Sequence, residues 1–181
     1  MMISMKIETI TLKPLPNFSK EIGYYVAGIE AIRRDWREKV KDLNNGQLAT
    51  KILPDIQPIG TMIIHLAEAE YWWTQCVIEG KEFTQEIKDL LHHDLWFKDF
   101  SVEDLDANYC LETVDKIHEM SVQTLSIFKD EDLEKFFVRS DNSNKYSLRR
   151  ILHNLYDHEA THKGQILMIK RVLLGTTNIL S

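Results

Sequence analysis

The chain has 181 residues and a mass of 21.2 kDa, which fits one domain spanning 1–181. Its 44% hydrophobic and 28% charged residues are ordinary for a globular protein. A net charge of -6 argues against a general nucleic-acid binder, because phosphate contacts need clustered Lys and Arg.

Arg33, Arg34, Arg37 and Lys39 do cluster, but Asp35 and Glu38 interrupt them, and the group reads as a solvated helix face. Two distant cysteines, Cys76 and Cys110, form no CxxC pattern and argue against a disulfide framework. The N-terminus lacks the apolar core of a signal peptide, and no apolar run approaches the roughly 20 residues of a membrane span. These features predict a cytoplasmic protein with no membrane partner.

Four segments carry helical periodicity. The first spans about 19–43, where Ile22, Tyr25, Ile29, Ile32, Trp36 and Leu43 share a face. Asn44, Asn45 and Gly46 follow as a stop signal. The second spans about 57–79, with Pro58 in its first turn, Gly80 at its end, and a stripe of Met62, His65, Ala69, Trp72 and Cys76. The long connection after it includes Leu90 to Phe100, which reads as a short helix over one end of the molecule. The third helix spans about 101–128, with Ser101 and Asp104 as its cap signal and Val114, Ile117, Leu125 and Phe128 on its face. Phe136 to Val138 reads as a short extended piece, and Asp141 to Asn144 as a turn. The last helix starts after Ser147 and runs to Leu174 before Gly175. Its stripe is Leu148, Ile151, Leu155, His158, His162, Ile166, Ile169 and Leu173. Four amphipathic helices of this length predict an all-α, antiparallel four-helix bundle.

Three histidines fall on these inward stripes: His65 on the second helix, His158 and His162 on the last. Residues four apart on a helix lie one above the other, with Cβ atoms about 6 Å apart. Two imidazoles so placed can reach one ion, and a third from a facing helix completes a three-nitrogen set with an open position. Such a set suits Zn²⁺, Ni²⁺, Fe²⁺ or Mn²⁺. Hydrogen-bonded core histidines are the competing reading. Three convergent buried imidazoles, however, waste stability unless each finds a partner.

His158-Glu159-Ala160-Thr161-His162 also fits HExxH, the pattern of many zinc proteases. Those families take a third ligand downstream, and the 19 residues after His162 contain no Asp, Glu or His. Glu159 points about 100° away from His158 around the helix, so it reads equally as a flanking carboxylate or a catalytic base. Glu68, three residues after His65, is a candidate fourth ligand, imidazole orienter or base. His153, His92, His93 and His118 read as surface or structural residues, Cys76 as a small hydrophobe, and Trp72 and Trp73 as core or dimer contacts.

The segments TMIIHLAEAEYWW (61–73) and LRRILHNLYDHEATHKGQ (148–165) resemble the second-helix and last-helix signatures of the DinB-like superfamily. In that family a second-helix histidine and an HxxxH pair on the last helix bind a metal ion. The resemblance therefore implies a metal on His65, His158 and His162. The family often has His-Arg-Gly-Gln where this chain has His162-Lys163-Gly164-Gln165, and a further, non-ligating histidine at the position of Thr161.

Characterised members include bacillithiol-dependent S-transferases and mycothiol-dependent maleylpyruvate isomerases. Others are called metal-dependent hydrolases or DNA-damage-inducible proteins without a demonstrated substrate. The resemblance implies a metal-dependent enzyme on a small-molecule substrate, foremost a low-molecular-weight-thiol S-transferase of the bacillithiol type with a thiol cosubstrate. The alternatives are a hydrolase using a metal-bound water, with Glu159 or Glu68 as base, and a non-catalytic metal-binding or interaction bundle. Bundles of this family often pair, which implies a homodimer.

Overall fold

The structure is a computed structural model that describes residues 9–93, 106–139 and 144–175. Helix α1 spans Lys20–Val40. Its buried positions include Ile22, Val26, Ile29, Arg33, Trp36 and Val40, spaced alternately by four and three. That spacing keeps one stripe turned inward over five turns. Ser19 supplies no side-chain cap; Asp130, distant in sequence, accepts the backbone N–H groups of Glu21 and Ile22 instead.

The expected stop at Asn44 is also a start. Asn44 and Gln47 form a reciprocal capping box that opens the short helix α2, Asn45–Ala49. Helix α3 spans Ile59–Tyr71 and continues as a π-helical stretch, Trp72–Ile78, to Gly80 at φ 70°. The wider winding coincides with a buried polar seam against the third long helix. Thr74 Oγ1 donates to the Glu70 carbonyl and lies 3.0 Å from Ser121 Oγ, while Gln75 Nε2 donates to Thr124 Oγ1.

Helix α4 is Gln85–Leu90, ahead of the 90–100 stretch where a short helix was expected; residues 94–100 lie outside the described residues. Helix α5 is Ala107–Ser126, capped by Asp106 accepting from the Tyr109 N–H at 2.7 Å. The Ser101–Asp104 cap signal also lies outside the described residues. A single 3₁₀ turn, Asp130–Glu134, leads to a hairpin of β1 (Phe136–Val138) and β2 (Lys145–Ser147), with Phe137 opposite Tyr146. The extended piece expected at 136–138 is thus one arm of a small sheet. Most of the Asp141–Asn144 turn lies outside the described residues.

Helix α6 is Leu148–Leu174, bounded as the sequence predicts by Ser147 and by Gly175 at φ 61°. Ser147 Oγ accepts the Arg150 N–H at 3.3 Å. Loss of that oxygen in Ser147→Ala is expected to cost about 1 kcal/mol, read as a lower urea midpoint at unchanged slope.

The four long helices form the predicted all-α four-helix bundle, but the antiparallel order expected of it does not hold for every neighbouring pair. Contacts fix their directions. Glu21 meets Arg149 and Asp35 meets Lys163, so α1 and α6 run parallel. Glu70 meets His118 and Gln75 meets Thr124, so α3 and its π continuation run parallel to α5. Arg37 meets Asp115 while Glu30 meets His118, so α1 and α5 are antiparallel. The bundle is therefore two parallel pairs of opposite sense. It leaves α3 antiparallel to α6, with their midpoints side by side.

One apolar cluster around Trp36, Ile63, Leu66, Ile117 and Ile166 fills one half of the interior. A second, around Ile22, Leu125, Leu133 and Leu148, closes the opposite end. Among the described residues, no helix is long and apolar enough to cross a membrane.

Candidate metal centre

His65 projects from the middle of α3, and His158 and His162 from the middle of α6. Their Nε2 atoms converge: His158 Nε2 lies 3.2 Å from that of His65 and 3.1 Å from that of His162. The rings meet edge-on at 65° to 80°, so no pair stacks. His162 is buried, and His65 and His158 are half-buried. Burial, followed by the neighbouring imidazoles, pushes His65 down to about 3 and His158 down to about 4; burial also lowers His162. All three rings are therefore neutral at physiological pH and present lone pairs.

The donor set fits a divalent transition metal. Nitrogens bound tetrahedrally at 2.0–2.1 Å from one ion stand about 3.3 Å apart, close to the separations seen here. Among the described residues, these three form the one cluster of at least three His, Cys, Asp or Glu side chains convergent enough for an ion. Three nitrogens leave one coordination position for another group.

The two carboxylates singled out in the sequence are engaged by other side chains. Glu159 is buried, and both its oxygens are engaged. Arg33 Nε and Nη2 donate to it at 3.2 and 2.8 Å, and Trp36 Nε1 donates at 2.6 Å. Glu68 Oε1 lies 2.6 Å from His93 Nδ1, and the His93 ring stacks on Phe83. His153 lines an outer groove with Tyr24, Tyr25 and Tyr156, away from the three histidines. Trp72 and Trp73 pack on each other, with Tyr146 against Trp73 and Arg139 over Trp72, at the hairpin end of the bundle. Burial and Glu82 push the Cys76 thiol up to about 11, so it stays protonated.

One reading of the sequence is overturned. Arg33 does not belong to a solvated face; it is 4% exposed and sits inside the bundle. Its Nη2 bonds Glu70 and Glu159, each at 2.8 Å. Glu70 Oε1 in turn accepts from His118 Nδ1 across 2.8 Å. Arg33 holds the buried Glu70 carboxyl down to about 2 despite the opposing effect of burial. The signal was available: Arg33 lies four residues after Ile29 and three before Trp36, on the inward stripe. Its charge and basic neighbours masked it. Of the other members, Trp36 was legible as a stripe residue, and Glu70 was not among the stripe residues read on the second helix.

His118 is raised above its ordinary value because its bonds to Glu70 outweigh burial, which acts in the opposite direction. A raised folded-state value adds stability that is complete below pH 6.5 and is lost as pH rises through the folded value. The stability gap between the parent and His118→Gln is therefore expected to be larger at pH 6 than at pH 9 by urea denaturation. An equal gap at both values would show that the imidazolium–Glu70 pair contributes nothing.

A model of the mycothiol S-transferase family matches residues 26–175, the greater part of the chain and both histidine-bearing helices. No curated protein matches the chain significantly. Among solved structures, the fold is similar to YfiT from Bacillus subtilis, with a TM-score of 0.65 at 17% identity, covering 91% of this chain and 94% of that one. YfiT is described as a probable metal-dependent hydrolase with an unusual four-helix bundle topology. A likeness at that identity speaks for the fold, and the family match covers most of the sequence: the chain belongs to the mycothiol S-transferase family of DinB-like four-helix-bundle proteins.

Proposed function

We propose that the protein is a metal-dependent S-transferase that joins a low-molecular-weight thiol to a small electrophile, with a divalent transition metal held by His65, His158 and His162. The observation that carries this reading is the convergence of three imidazoles in a half-buried site, with His158 Nε2 3.2 Å from that of His65 and 3.1 Å from that of His162. The family match supports the choice of a thiol.

A bound divalent metal would favour the deprotonated form of a thiol at neutral pH. The sulfur then bonds to the electrophilic carbon, a leaving group departs with its electron pair, and the thiol proton passes to solvent. The chain's own part is to hold three imidazoles neutral and aimed together, and to leave one side of the cluster open to a small molecule. Glu159 takes no part as a base here, because Arg33 and Trp36 occupy its oxygens. Cys76, kept protonated by burial, is not the nucleophile, so the sulfur comes from the cosubstrate.

Hydrolysis by a metal-bound water is the second reading, supported by the likeness to YfiT. Glu68 is then the base to test. The deciding experiment loads the purified protein with Zn²⁺, Ni²⁺, Fe²⁺ or Mn²⁺ and offers a panel of electrophiles and esters with bacillithiol, mycothiol, glutathione or cysteine. Metal-dependent loss of free thiol with a sulfur adduct as product supports the transferase. Turnover that ignores thiol and falls in Glu68→Gln supports the hydrolase.

A further inference from the structure

Arg33, Glu70, Glu159 and His118 form a buried ion cluster that the proposed chemistry does not use, at the crossing of the two helices that carry the histidines. Arg33 belongs to α1, which supplies no histidine to the centre. Its single Nη2 atom bonds Glu70 on α3 and Glu159 on α6, each at 2.8 Å. Glu70 lies five residues after His65, about 7.5 Å along the same axis. Glu159 is the neighbour of His158 and lies three residues before His162.

The cluster and the histidines are in near contact. A cavity of about 10 Å³ is lined by Arg33, Glu70, Glu159 and His158 together with apolar side chains. That is close to the space one water needs, and four of its walls are polar. Arg33 Nη1 is buried with no hydrogen-bond partner among the described residues.

We propose that Arg33 is a positioning residue for the three-histidine centre, pinning α3 and α6 in the axial register at which His65 meets His158 and His162. Helices have an axial rise of about 1.5 Å per residue. A slide of α3 past α6 by that one step would stretch one of the two 2.8 Å bonds beyond hydrogen-bond range. The same slide would part His65 Nε2 from His158 Nε2, now 3.2 Å away. Trp36 adds a second hold on Glu159, from the next turn of α1. Arginine suits the task because its planar fork grips Glu159 through two nitrogens while one of them also reaches Glu70; a lysine ammonium is a point charge without that fork. In this arrangement the glutamate of the HExxH pattern is an anchor rather than a base.

The inference rests on the metal reading, and the test separates the two. Metal affinity is measured by Co²⁺ titration, following the d–d absorption, and by Zn²⁺ competition, for the parent, Arg33→Lys and Leu133→Ala. Leu133 is fully buried at the far end of the bundle, so its loss lowers stability without touching the clamp. Arg33→Lys is expected to bind at least about 10-fold more weakly, the scale seen when the supports of metal ligands are removed, and to show an altered Co²⁺ spectrum. Leu133→Ala is expected to keep the parent's affinity and spectrum despite its lower melting temperature. Parent-like affinity and spectrum in Arg33→Lys would overturn the positioning role. A parent that takes up neither ion would overturn the metal reading itself, before any variant is compared. If Arg33→Lys does not fold, Glu159→Gln decides. It keeps the side chain's shape but weakens the grip of Arg33, so weaker, spectrally altered binding supports the clamp and unchanged binding refutes it.

Discussion

His158→Ala is expected to abolish metal binding: about one equivalent in the parent should fall below about a tenth in the variant after dialysis, with at least about a 100-fold loss of affinity. The scale follows from position. His158 is the hub of the trio, with its Nε2 beside both of the others. Changing a group that merely supports a ligand costs 10- to 100-fold in affinity, and removing the ligand itself must exceed that. The two remaining nitrogens, one on α3 and one on α6, leave too few donors for a tight site. Metal-free stability should change little, within about 1 kcal/mol, because the half-buried ring removed was itself desolvated at a cost. Elemental analysis and urea denaturation read the two quantities separately. Full metal retention in His158→Ala would remove the three-histidine centre as the metal site. Loss of metal together with loss of the fold would make His158 a core residue first.

The second large effect concerns stability. Arg33→Met is expected to destabilise the protein by about 3–5 kcal/mol at pH 7, because breaking a buried pair strands the charges left behind. Two carboxylates, Glu70 and Glu159, would then face the same apolar interior without their shared cation. In the parent, Glu70 is held down to about 2, so its contribution is present above pH 4.5 and fades as pH falls towards 2. Without Arg33, burial raises the Glu70 carboxyl instead, and the sign reverses: protonation relieves the stranded charge. The variant should therefore gain on the parent as pH is lowered from 7 to 5. The triple variant Arg33→Met, Glu70→Gln, Glu159→Gln should recover much of the loss at pH 7, because neutral partners need no cation. A cost below about 1 kcal/mol, independent of pH, would place Arg33 among solvated surface pairs instead.

Much of this protein follows from its sequence. The step of three and four that repeats along 19–43, 57–79, 107–126 and 148–174 makes four amphipathic helices, since one apolar stripe per helix must be buried and a bundle buries four. Ser147 and Gly175 bound α6 through local chemistry alone: a hydroxyl that accepts an N–H, and a residue free to take positive φ. The three histidines were legible because helical spacing says which side chains share a face.

Local spacing cannot say which helices touch or in which direction they run, because many packings bury the same stripes. Tertiary packing alone decided that α1 lies parallel to α6 and antiparallel to α5. It also decided that Asp130 rather than Ser19 caps α1, and that α3 ends in a π-helical stretch where Thr74 and Gln75 bond across to α5. The same holds for Glu159 and Arg33. A charged residue on an inward stripe is costly until its partner is known, and the partners sit 37 and 126 residues from Arg33 along the chain. The helix carrying each charge was predictable. That Arg33 meets both Glu70 and Glu159 beside the histidines, one cation shared between two carboxylates, is a property of the folded bundle.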